Sequence, residues 1–450
     1  MAKYFGTDGF RGEANVDLTA IHAFKIGRFL GWYYGRAHKC KIVIGKDTRR
    51  SSYMFEAALT AGITAAGGDA YSLHVTTTPS VAYVTRTEDF DCGIMISASH
   101  NAYQDNGLKL INGMGEKMED SVLAEVEAFL DGPDDAVPYA TGVSIGSVID
   151  HAAGRNRYIG YLISLATKTF RGMKVGLDCA NGSTWQIAKS VFDALGADTH
   201  VINNRPSGVN INKACGSTCT SHLCAFVRDA ELDVGFAFDG DADRCIAVDE
   251  TGEVIDGDRI LYLCALSMKE RGKLGGTKVV TTVMSNLGLY RALDEAGIGY
   301  ETTAVGDKYV YENMAENGHM LGGEQSGHII FRKHATTGDG LITAIKIMQA
   351  MLEKKLPLSA LVAPVTIYPQ VLKNVVVTSK DDAMENPAVL AAVRDAERAL
   401  GDTGRILLRK SGTEPLLRVM TEAPTLSQCE AYADSVIDAM RGQGLLVTVK

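Results

Sequence analysis

Residues 234–248 read Val-Gly-Phe-Ala-Phe-Asp-Gly-Asp-Ala-Asp-Arg-Cys-Ile-Ala-Val, which is an acidic segment between two apolar runs. The apolar runs are typical of buried strands, so the acidic segment is predicted to be a loop at the end of a strand. Its carboxylates, Asp239, Asp241 and Asp243, repel one another unless a cation lies among them. Because all three ligands offer oxygen, the segment favours Mg²⁺ or Ca²⁺ over zinc or copper.

The acidic segment also allows two other interpretations. The three aspartates and Glu250 have the spacing of four ligands in an EF-hand loop, but Arg244 replaces the central glycine of that motif. Its flanks also predict strands, whereas an EF-hand has helices there. A solvated acidic turn without an ion is the second alternative. Arg244 at the rim of a carboxylate site would suit a phosphorylated substrate, because arginine binds phosphate through two hydrogen bonds.

The composition is that of a globular protein with several domains. The chain has 450 residues, of which 46% are hydrophobic and 22% charged, and this length predicts about three domains. A net charge of -9 argues against nucleic acid as a partner. The N-terminus lacks an apolar signal segment, and no apolar stretch is long enough to span a bilayer. Nine cysteines, an odd number, favour reduced thiols in a cytoplasmic protein.

A group of cysteine and histidine residues offers another possible metal site. Its members are Cys215, Cys219, His222 and Cys224. They lack the Cys-x-x-Cys pairs that are typical of zinc sites, so the sequence favours unliganded side chains.

A strand, a polar or glycine-containing loop and a helix recur three times along the chain. The strands are predicted at residues 41–47, 174–178 and 278–283, and the helices at residues 53–66, 184–195 and 287–296. Glycine follows each helix, which is a typical stop signal. This repetition predicts α/β domains in which helices cover the faces of a sheet.

The C-terminal part of the chain has a different pattern. Strands are predicted at 373–378, 405–408 and 416–421, and helices at 387–400 and 427–440. Helices beside an antiparallel sheet predict a smaller α+β domain. We therefore expect four domains, with bounds at residues 1–150, 151–255, 256–366 and 367–450.

A second segment with chemical groups lies at residues 93–101, which read Gly-Ile-Met-Ile-Ser-Ala-Ser-His-Asn. Active-site groups of α/β proteins lie at the ends of such apolar strands. Ser99 beside His100 is compatible with a hydrolase, but the Gly-x-Ser-x-Gly nucleophile motif is absent. A serine that becomes phosphorylated fits better, because its phosphate would add a ligand to the three aspartates. A serine-rich turn capped by its own hydroxyls is the remaining alternative.

Three further loops carry polar groups. Residues 409–415 read Arg-Lys-Ser-Gly-Thr-Glu-Pro, with Arg418 following, and predict a phosphate-binding loop; a plain surface turn is the alternative. This loop lacks the Gly-Lys-Ser/Thr order of a nucleotide-binding P-loop. Residues 322–328 read Gly-Gly-Glu-Gln-Ser-Gly-His and offer groups that bind sugar hydroxyls. Residues 6–12 place Arg11 on a glycine-rich loop.

Taken in order, these segments resemble the α-D-phosphohexomutase family in all four predicted domains. The resemblance rests on Phe-Gly-Thr-Asp-Gly-Phe-Arg-Gly at 5–12, Ser-Ala-Ser-His-Asn at 97–101, the acidic segment, Gly-Glu-Gln-Ser-Gly at 323–327 and the segment 409–415. Gln325 favours the amino-sugar mutases of the family, because the phosphomannomutase/phosphoglucomutase members usually carry methionine there. The sequence departs from the usual family residues at Ala102, Ala242 and Lys308.

The resemblance implies a four-domain molecule, with three similar α/β domains and a smaller C-terminal α+β domain around a central cleft. It implies the interconversion of glucosamine 6-phosphate and glucosamine 1-phosphate through a glucosamine 1,6-bisphosphate, a step toward UDP-N-acetylglucosamine and the cell wall. One Mg²⁺ per chain and a phosphorylated hexosamine substrate are expected. Neither nucleic acid nor a membrane is expected as a partner, and the protein is expected to be a monomer or homodimer. The alternatives are a mutase of hydroxyl hexose phosphates and a non-catalytic sugar-phosphate sensor.

The resemblance also implies roles for individual residues. Ser99 is expected to be the phosphoserine, and its phosphate would bind Mg²⁺ together with Asp239, Asp241 and Asp243. The substrate-binding residues are expected to be Glu324 and Ser326 for the sugar hydroxyls, and Arg409, Ser411, Gly412, Thr413 and Arg418 for the distal phosphate. The remaining catalytic candidates are Arg244 for charge stabilisation, Lys109 and His328 as alternative general bases, His100 to orient the loop, and Arg11. A lysine would need a perturbed pKa to act as a base.

Overall fold

A computed structural model of the protein describes residues 3–411 and 416–449. The chain forms two compact units, residues 1–284 with 298–363 and residues 285–297 with 364–450. Its strands make four sheets, three of them mixed and one antiparallel. The predicted fold class, three α/β domains followed by a smaller α+β domain, is therefore confirmed.

The first sheet has seven strands and orders the serine loop. Its strands are β1 (Phe5–Gly6), β2 (Gly9–Glu13), β3 (Lys41–Lys46), β4 (Asp69–Val75), β5 (Cys92–Ile96), β6 (Asp105–Asn112) and β7 (Val148–Asp150), in the spatial order β1-β2-β6-β5-β3-β4-β7. Helices α1 (Ala20–Gly35), α2 (Arg50–Ala65), α3 (Thr78–Thr87) and α4 (Asp120–Asp131) accompany it. Because β3 and β5 are parallel neighbours, the loops that follow them lie at the same edge of the sheet.

The second sheet has five strands and carries the acidic loop. Its strands are β8 (Lys174–Asp178), β9 (Asp198–Ile202), β10 (Val234–Phe238), β11 (Cys245–Asp249) and β12 (Val254–Ile255), in the order β12-β11-β10-β8-β9. Its helices are α5 (Ala152–Ser164), α6 (Ile187–Ala194) and α7 (Ser221–Asp229). All residues of the antiparallel pair β10 and β11 are buried, so the loop that joins them starts and ends in the core.

The third sheet has four strands and carries the loop at 324–328. Its strands are β13 (Val279–Thr282), β14 (Tyr300–Thr303), β15 (Leu321–Gly323) and β16 (Ile329–Phe331), in the order β14-β13-β15-β16. The helices of this stretch are α8 (Gly257–Glu270), α9 (Leu287–Glu295), α10 (Asp307–Asn317), α11 (Gly340–Lys354) and α12 (Leu358–Val362). Helix α9 belongs to the second compact unit.

The fourth sheet is antiparallel throughout. Its strands are β17 (Gln370–Val377), β18 (Arg405–Lys410), β19 (Leu416–Glu422) and β20 (Leu446–Val449), in the order β18-β19-β17-β20. Helices α13 (Lys380–Glu385), α14 (Pro387–Leu400) and α15 (Leu426–Gly442) complete this part, and its own apolar core lies between α14, α15 and the sheet.

Two helices begin at different residues from those predicted. Helix α2 begins at Arg50, three residues before the predicted start, because its first turn is polar and carries no apolar periodicity. Asp47 fixes that turn by accepting hydrogen bonds from the backbone N–H of Arg49 and the hydroxyl of Ser52. The predicted helix at 184–195 is a short 3₁₀ turn at Ser183–Trp185 followed by α6.

Two expectations drawn from composition can be compared with the structure. All nine cysteines are free thiols. Over the ranges that the structure describes, none of the helices combines the length and the apolar character needed to cross a bilayer.

Candidate active site

The serine loop and the acidic loop meet through one hydrogen bond. The hydroxyl of Ser99 donates to a carboxylate oxygen of Asp239, and both residues are completely buried. A Cβ atom added at Gly240 would lie 2.5 Å from the carbonyl oxygen of Ser99, so only glycine allows this approach of the two loops. The structure therefore brings together the two segments that the sequence analysis singled out.

The three aspartates of the acidic loop form a compact carboxylate cluster. One oxygen from each of Asp239, Asp241 and Asp243 lies within 4.8 Å of the others. In the described part of the chain, this is the only group of three or more His, Cys, Asp or Glu residues with such convergence, so the residues around Cys215 do not form a second one. The strands on both sides of the loop also exclude the EF-hand interpretation.

The carboxylate cluster has oxygen atoms that can serve as ligands of a cation. One carboxylate oxygen of Asp241 and one of Asp243 are buried and find no hydrogen-bond partner among the described residues. Burial and the charges of Asp243 and Asp241 raise the pKa of Asp239 well above its ordinary value. Unpaired carboxylate oxygens in a buried site are costly, and a hard divalent cation satisfies them. The residues present therefore fit Mg²⁺.

Lys109 from β6 places its ammonium group inside this cluster. Its Nζ lies 2.7 Å from Asp241, 2.9 Å from Asp243 and 3.3 Å from Asp8. Burial alone would lower the pKa of Lys109, but these three carboxylates raise it well above its ordinary value. This direction is opposite to the one that a lysine base needs, and it favours the ammonium form of Lys109 among these carboxylates.

His328 lies at the end of the loop that joins β15 to β16. Its Nε2 accepts a hydrogen bond from the backbone N–H of Gly338 at 2.9 Å. Nδ1 lies 3.9 Å from Asp243, and Nε2 lies 3.5 Å from Asp307. The imidazole therefore lies between two carboxylates of the site, and the hydrogen bond from Gly338 fixes its orientation.

His100 is next to Ser99, in surroundings that disfavour its protonated form. Its Nδ1 lies 3.4 Å from the hydroxyl oxygen of Ser99. Burial and the charges of Arg244 and Arg11 lower the pKa of His100 to about 4. At neutral pH the ring can therefore orient the serine without adding charge to the loop.

Two arginines from the predicted set lie beside the carboxylates. Burial would lower the pKa of Arg244, but Asp243, Asp239 and Glu324 raise it above its ordinary value, and its Nε lies 4.0 Å from Asp243. Arg11 donates a hydrogen bond to Asp8. Guanidinium groups bind phosphate through charge-assisted hydrogen bonds, so both residues stay candidates for that role.

Several residues that position the serine loop were missed by the sequence analysis. Arg49 donates to the carbonyl oxygens of Ser99 at 3.1 Å and Asn101 at 2.7 Å, and Asn212 donates to the first of these at 2.8 Å. Arg49 also pairs with Asp47, and both side chains are completely buried. The available signal was the place of Asp47 at the end of β3, since polar groups at strand ends of α/β proteins are functional candidates.

Two loop residues have backbone conformations that are rare for a side chain with Cβ. Ser99 has φ 50° and Ala242 has φ 59°. Ala242 is one of the positions at which the sequence departs from the family it resembles, and its positive φ is a conformation that glycine adopts more readily. Strained backbone of this kind is concentrated at functional sites, where the surroundings hold it in place.

The predicted sugar-binding loop is connected to the acidic loop. The backbone N–H of Cys245 donates to the carbonyl oxygen of Gly327 at 3.0 Å. Glu324 accepts a hydrogen bond from the backbone N–H of Gly306 at 3.0 Å, and burial raises the pKa of its carboxyl group. Ser326 is exposed. The loop therefore presents one polar group to solvent and holds another partly buried.

The predicted phosphate-binding residues belong to the second compact unit. Arg409 on β18 is directly opposite Arg418 on β19, and burial together with the charge of Arg418 lowers the pKa of Arg409. Ser411 follows β18 and is buried. Gly412 and Thr413 lie outside the described residues. Two like charges opposite each other on neighbouring strands destabilise a sheet unless an anion compensates them.

Comparison with known proteins assigns the chain to a family. Family models of phosphoglucomutase/phosphomannomutase match along the chain: domain I at residues 2–136, domain II at 156–252, domain III at 256–368 and the C-terminal domain at 372–439.

Full-length relatives agree with these matches. A phosphoglucosamine mutase of Lachnospira eligens is 65% identical over 450 residues, covering 99% of this chain and 100% of the relative. One of Lachnoclostridium phytofermentans is 62% identical over 444 residues, covering 99% of both chains. A phosphoglucomutase/phosphomannomutase family protein from Burkholderia thailandensis has the same fold, with a TM-score of 0.82 at 22% identity over 99% of this chain and 98% of its own. The chain therefore belongs to the phosphoglucomutase/phosphomannomutase family.

Proposed function

We propose that this chain is a phosphoglucosamine mutase, which interconverts glucosamine 6-phosphate and glucosamine 1-phosphate. The observation that carries the proposal is the hydrogen bond from Ser99 to Asp239 inside the carboxylate cluster. The substrate is inferred from the relatives of that name, 65% and 62% identical, and from Gln325 in the sugar-binding loop.

The proposed reaction consists of two phosphoryl transfers through Ser99. In the first, the bond between phosphorus and Oγ of phosphoserine 99 breaks while a sugar hydroxyl oxygen forms a new bond to phosphorus. A base accepts the proton of that hydroxyl, and the product is glucosamine 1,6-bisphosphate. The bisphosphate then reorients, and the phosphoryl group at its other position is transferred to Oγ of Ser99. The protein regains its phosphoserine and releases the isomeric monophosphate.

The carboxylate cluster is proposed to hold the metal of this reaction. Asp239, Asp241 and Asp243 would bind Mg²⁺ together with the phosphate on Ser99. Mg²⁺ bound there would neutralise the negative charge that develops on the phosphoryl group during its transfer. Lys109 and Arg244 add two further positive charges at the same place, as their contacts with the aspartates indicate.

His328 is proposed as the proton acceptor. Lys109 is paired with Asp241, Asp243 and Asp8, which leaves His328 as the other candidate. Its ring nitrogens lie 3.9 Å from Asp243 and 3.5 Å from Asp307, so the imidazole is next to the carboxylate cluster. His100, with its lowered pKa, is proposed to orient Ser99.

The sugar and its second phosphate are proposed to bind at two further segments. Glu324 and Ser326 would hold the sugar hydroxyls or amine. The phosphate that is not transferred would be bound by Arg409, Ser411, Gly412, Thr413 and Arg418. The facing pair Arg409 and Arg418 supports this role, because a bound anion relieves the repulsion between the guanidinium groups.

A competition experiment tests which sugar phosphate the protein converts preferentially. The protein is incubated with Mg²⁺, a trace of hexose 1,6-bisphosphate and equal amounts of glucosamine, glucose and mannose 6-phosphates, and ³¹P NMR follows the 1-phosphates. We expect glucosamine 1-phosphate to appear first. Earlier formation of glucose or mannose 1-phosphate would indicate a mutase of hydroxyl sugars, and no product would indicate the sensor. The matched variant Gln325→Met tests whether this residue contributes to the preference.

A further inference from the structure

A second cavity lies in the part of the chain that carries the third sheet. It opens to solvent and is lined by α8, β16, α11, the turns that follow α8 and β16, and Met320 before β15. None of its lining residues belongs to the carboxylate cluster or to the sugar-binding loop.

The rim of this cavity has an excess of positive charge. Lys273, Lys333 and Lys346 line it together with Arg271 and His334. Arg271 pairs with Glu353, but within the described ranges the three lysines make no ion pair with a carboxylate. Like charges that share a partly buried space repel one another, and an anion bound among them would remove that cost.

The repulsion affects the pKa values of two groups, Lys346 and His334. Burial and the charges of Lys273, Arg271 and Lys333 lower the pKa of Lys346 to about 8. Burial and the charges of Lys346, Lys333 and Lys273 likewise lower the pKa of His334 to about 4. Both groups are therefore held toward their neutral forms.

The lining of the cavity also includes four apolar or sulfur-containing side chains, Ser267 and one buried amide. Its apolar lining consists of Cys264, Met268, Met320 and Phe331. Gln349 is completely buried and donates through Nε2 to the carbonyl oxygen of Leu165 at 2.8 Å. Its Oε1 is buried with no hydrogen-bond partner within the described residues. A buried amide oxygen of this kind is expected to accept a hydrogen bond, and a ligand with a hydroxyl or amine could donate it.

We propose that this cavity is a second ligand site, which binds a small organic anion with a phosphate or carboxylate group. Lys273, Lys333 and Lys346 bind the anionic group, the apolar part lies against Met268 and Phe331, and a donor on the ligand reaches Gln349. The site is independent of the proposed mutase reaction, because it shares no residue with it.

Competitive chemical labelling of Lys346 tests the proposal. The full-length protein is treated with a trace of acetic anhydride at pH 8, with and without phenyl phosphate or benzoate, and acetylation is measured at each lysine by mass spectrometry. We expect Lys346 to react faster than exposed lysines in the absence of anion. Labelling should fall about tenfold when either probe binds, because the bound anion holds the side chain in its ammonium form. Protection by phenyl phosphate alone assigns the site to phosphates, and protection by benzoate alone assigns it to carboxylates.

Matched variants distinguish specific binding from other effects. Lys333→Gln and Lys273→Gln should each raise the half-protecting concentration about tenfold, whereas Lys189→Gln, with the same charge change on α6, should leave it unchanged. Arg409→Ala should also leave it unchanged, which separates this site from the proposed substrate site. Absence of protection by both probes, or equal protection in the two cavity variants and wild type, would overturn the proposal.

Discussion

The ammonium group of Lys109 lies 2.7 Å from a carboxylate oxygen of Asp241, in the middle of a buried cluster of acids. Lys109 comes from β6 of the first sheet and Asp241 from the loop between β10 and β11 of the second. Because the lysine compensates charge that would otherwise be unpaired, it stabilises the contact between these sheets as well as the proposed site for phosphate.

Replacement of Lys109 by methionine should therefore reduce stability in the absence of divalent cations. Removing one partner of a buried ion pair typically costs about 3–5 kcal/mol. Added Mg²⁺ should recover part of this loss, because a cation bound by Asp241 and Asp243 replaces the missing charge. Urea unfolding with and without Mg²⁺ measures both effects. The exposed Lys189→Met serves as control, and a Lys109→Met protein as stable as this control would contradict the role.

Asp241→Asn tests the metal site. One of its carboxylate oxygens is buried and has no hydrogen-bond partner within the described ranges, so this oxygen is available to a cation. We expect a higher Mg²⁺ concentration for half-maximal activity and a loss of several kcal/mol of transition-state stabilisation. Asp229→Asn, an exposed carboxylate in the same part of the chain, should behave as wild type. An unchanged Mg²⁺ titration of Asp241→Asn would exclude this residue as a ligand.

Arg409→Ala tests the proposed phosphate-binding segment. Loss of charge-assisted hydrogen bonds to the substrate phosphate should raise KM for the sugar phosphate about tenfold or more. Steady-state kinetics with glucosamine 6-phosphate measures this, with the exposed Arg394→Ala on α14 as control. If both variants keep the wild-type KM, Arg409 does not bind the substrate.

Asp339 should make stability depend on pH. It caps α11, accepts a hydrogen bond from the hydroxyl of Tyr158 at 2.7 Å, and is buried, which raises its pKa from 3.8 to about 6. Because the pKa is higher in the folded state, the folded protein binds more protons between these two values. The contribution of Asp339 to stability is therefore greatest at low pH and falls as pH rises through about 4 to 6.

Asp339→Asn isolates this contribution, because the amide oxygen can still cap the helix. Relative to wild type, the variant should gain up to about 3 kcal/mol in unfolding free energy between pH 4 and pH 7. Urea unfolding across this range gives the difference directly. Parallel pH profiles of the two proteins would show that Asp339 titrates at its ordinary pKa.

The local sequence was sufficient to predict those strands that are marked by a run of apolar residues. The apolar runs on both sides of Asp239–Arg244 predicted the strands that became β10 and β11, and the change of pattern after residue 370 predicted the antiparallel sheet. Helix starts were less predictable, since the first turn of α2 is polar and is fixed by Asp47.

Contacts between distant residues could not be predicted from local patterns. Asp47 and Arg49 position the serine loop from 48 or more residues away, and no periodicity indicates such a pair. The pKa of Lys109 depends on carboxylates from two other loops, so its direction became clear only from their positions. The resemblance to a family identified Ser99 and the aspartates, but it could not supply the electrostatics of their surroundings.

The central claim is that Ser99 carries the phosphoryl group. The most direct test incubates the protein with ³²P-labelled glucose 1,6-bisphosphate and Mg²⁺, locates the label by peptide mass spectrometry, and then follows its transfer to glucosamine 6-phosphate. We predict one label on Ser99 that moves to the sugar, none in Ser99→Ala, and retention in the neighbouring variant Ser97→Ala. This variant keeps Ser99 but loses the hydrogen bond to Asp47 and those from Arg49 and the Ser99 backbone. Label on another residue, or normal turnover by Ser99→Ala, would contradict the account.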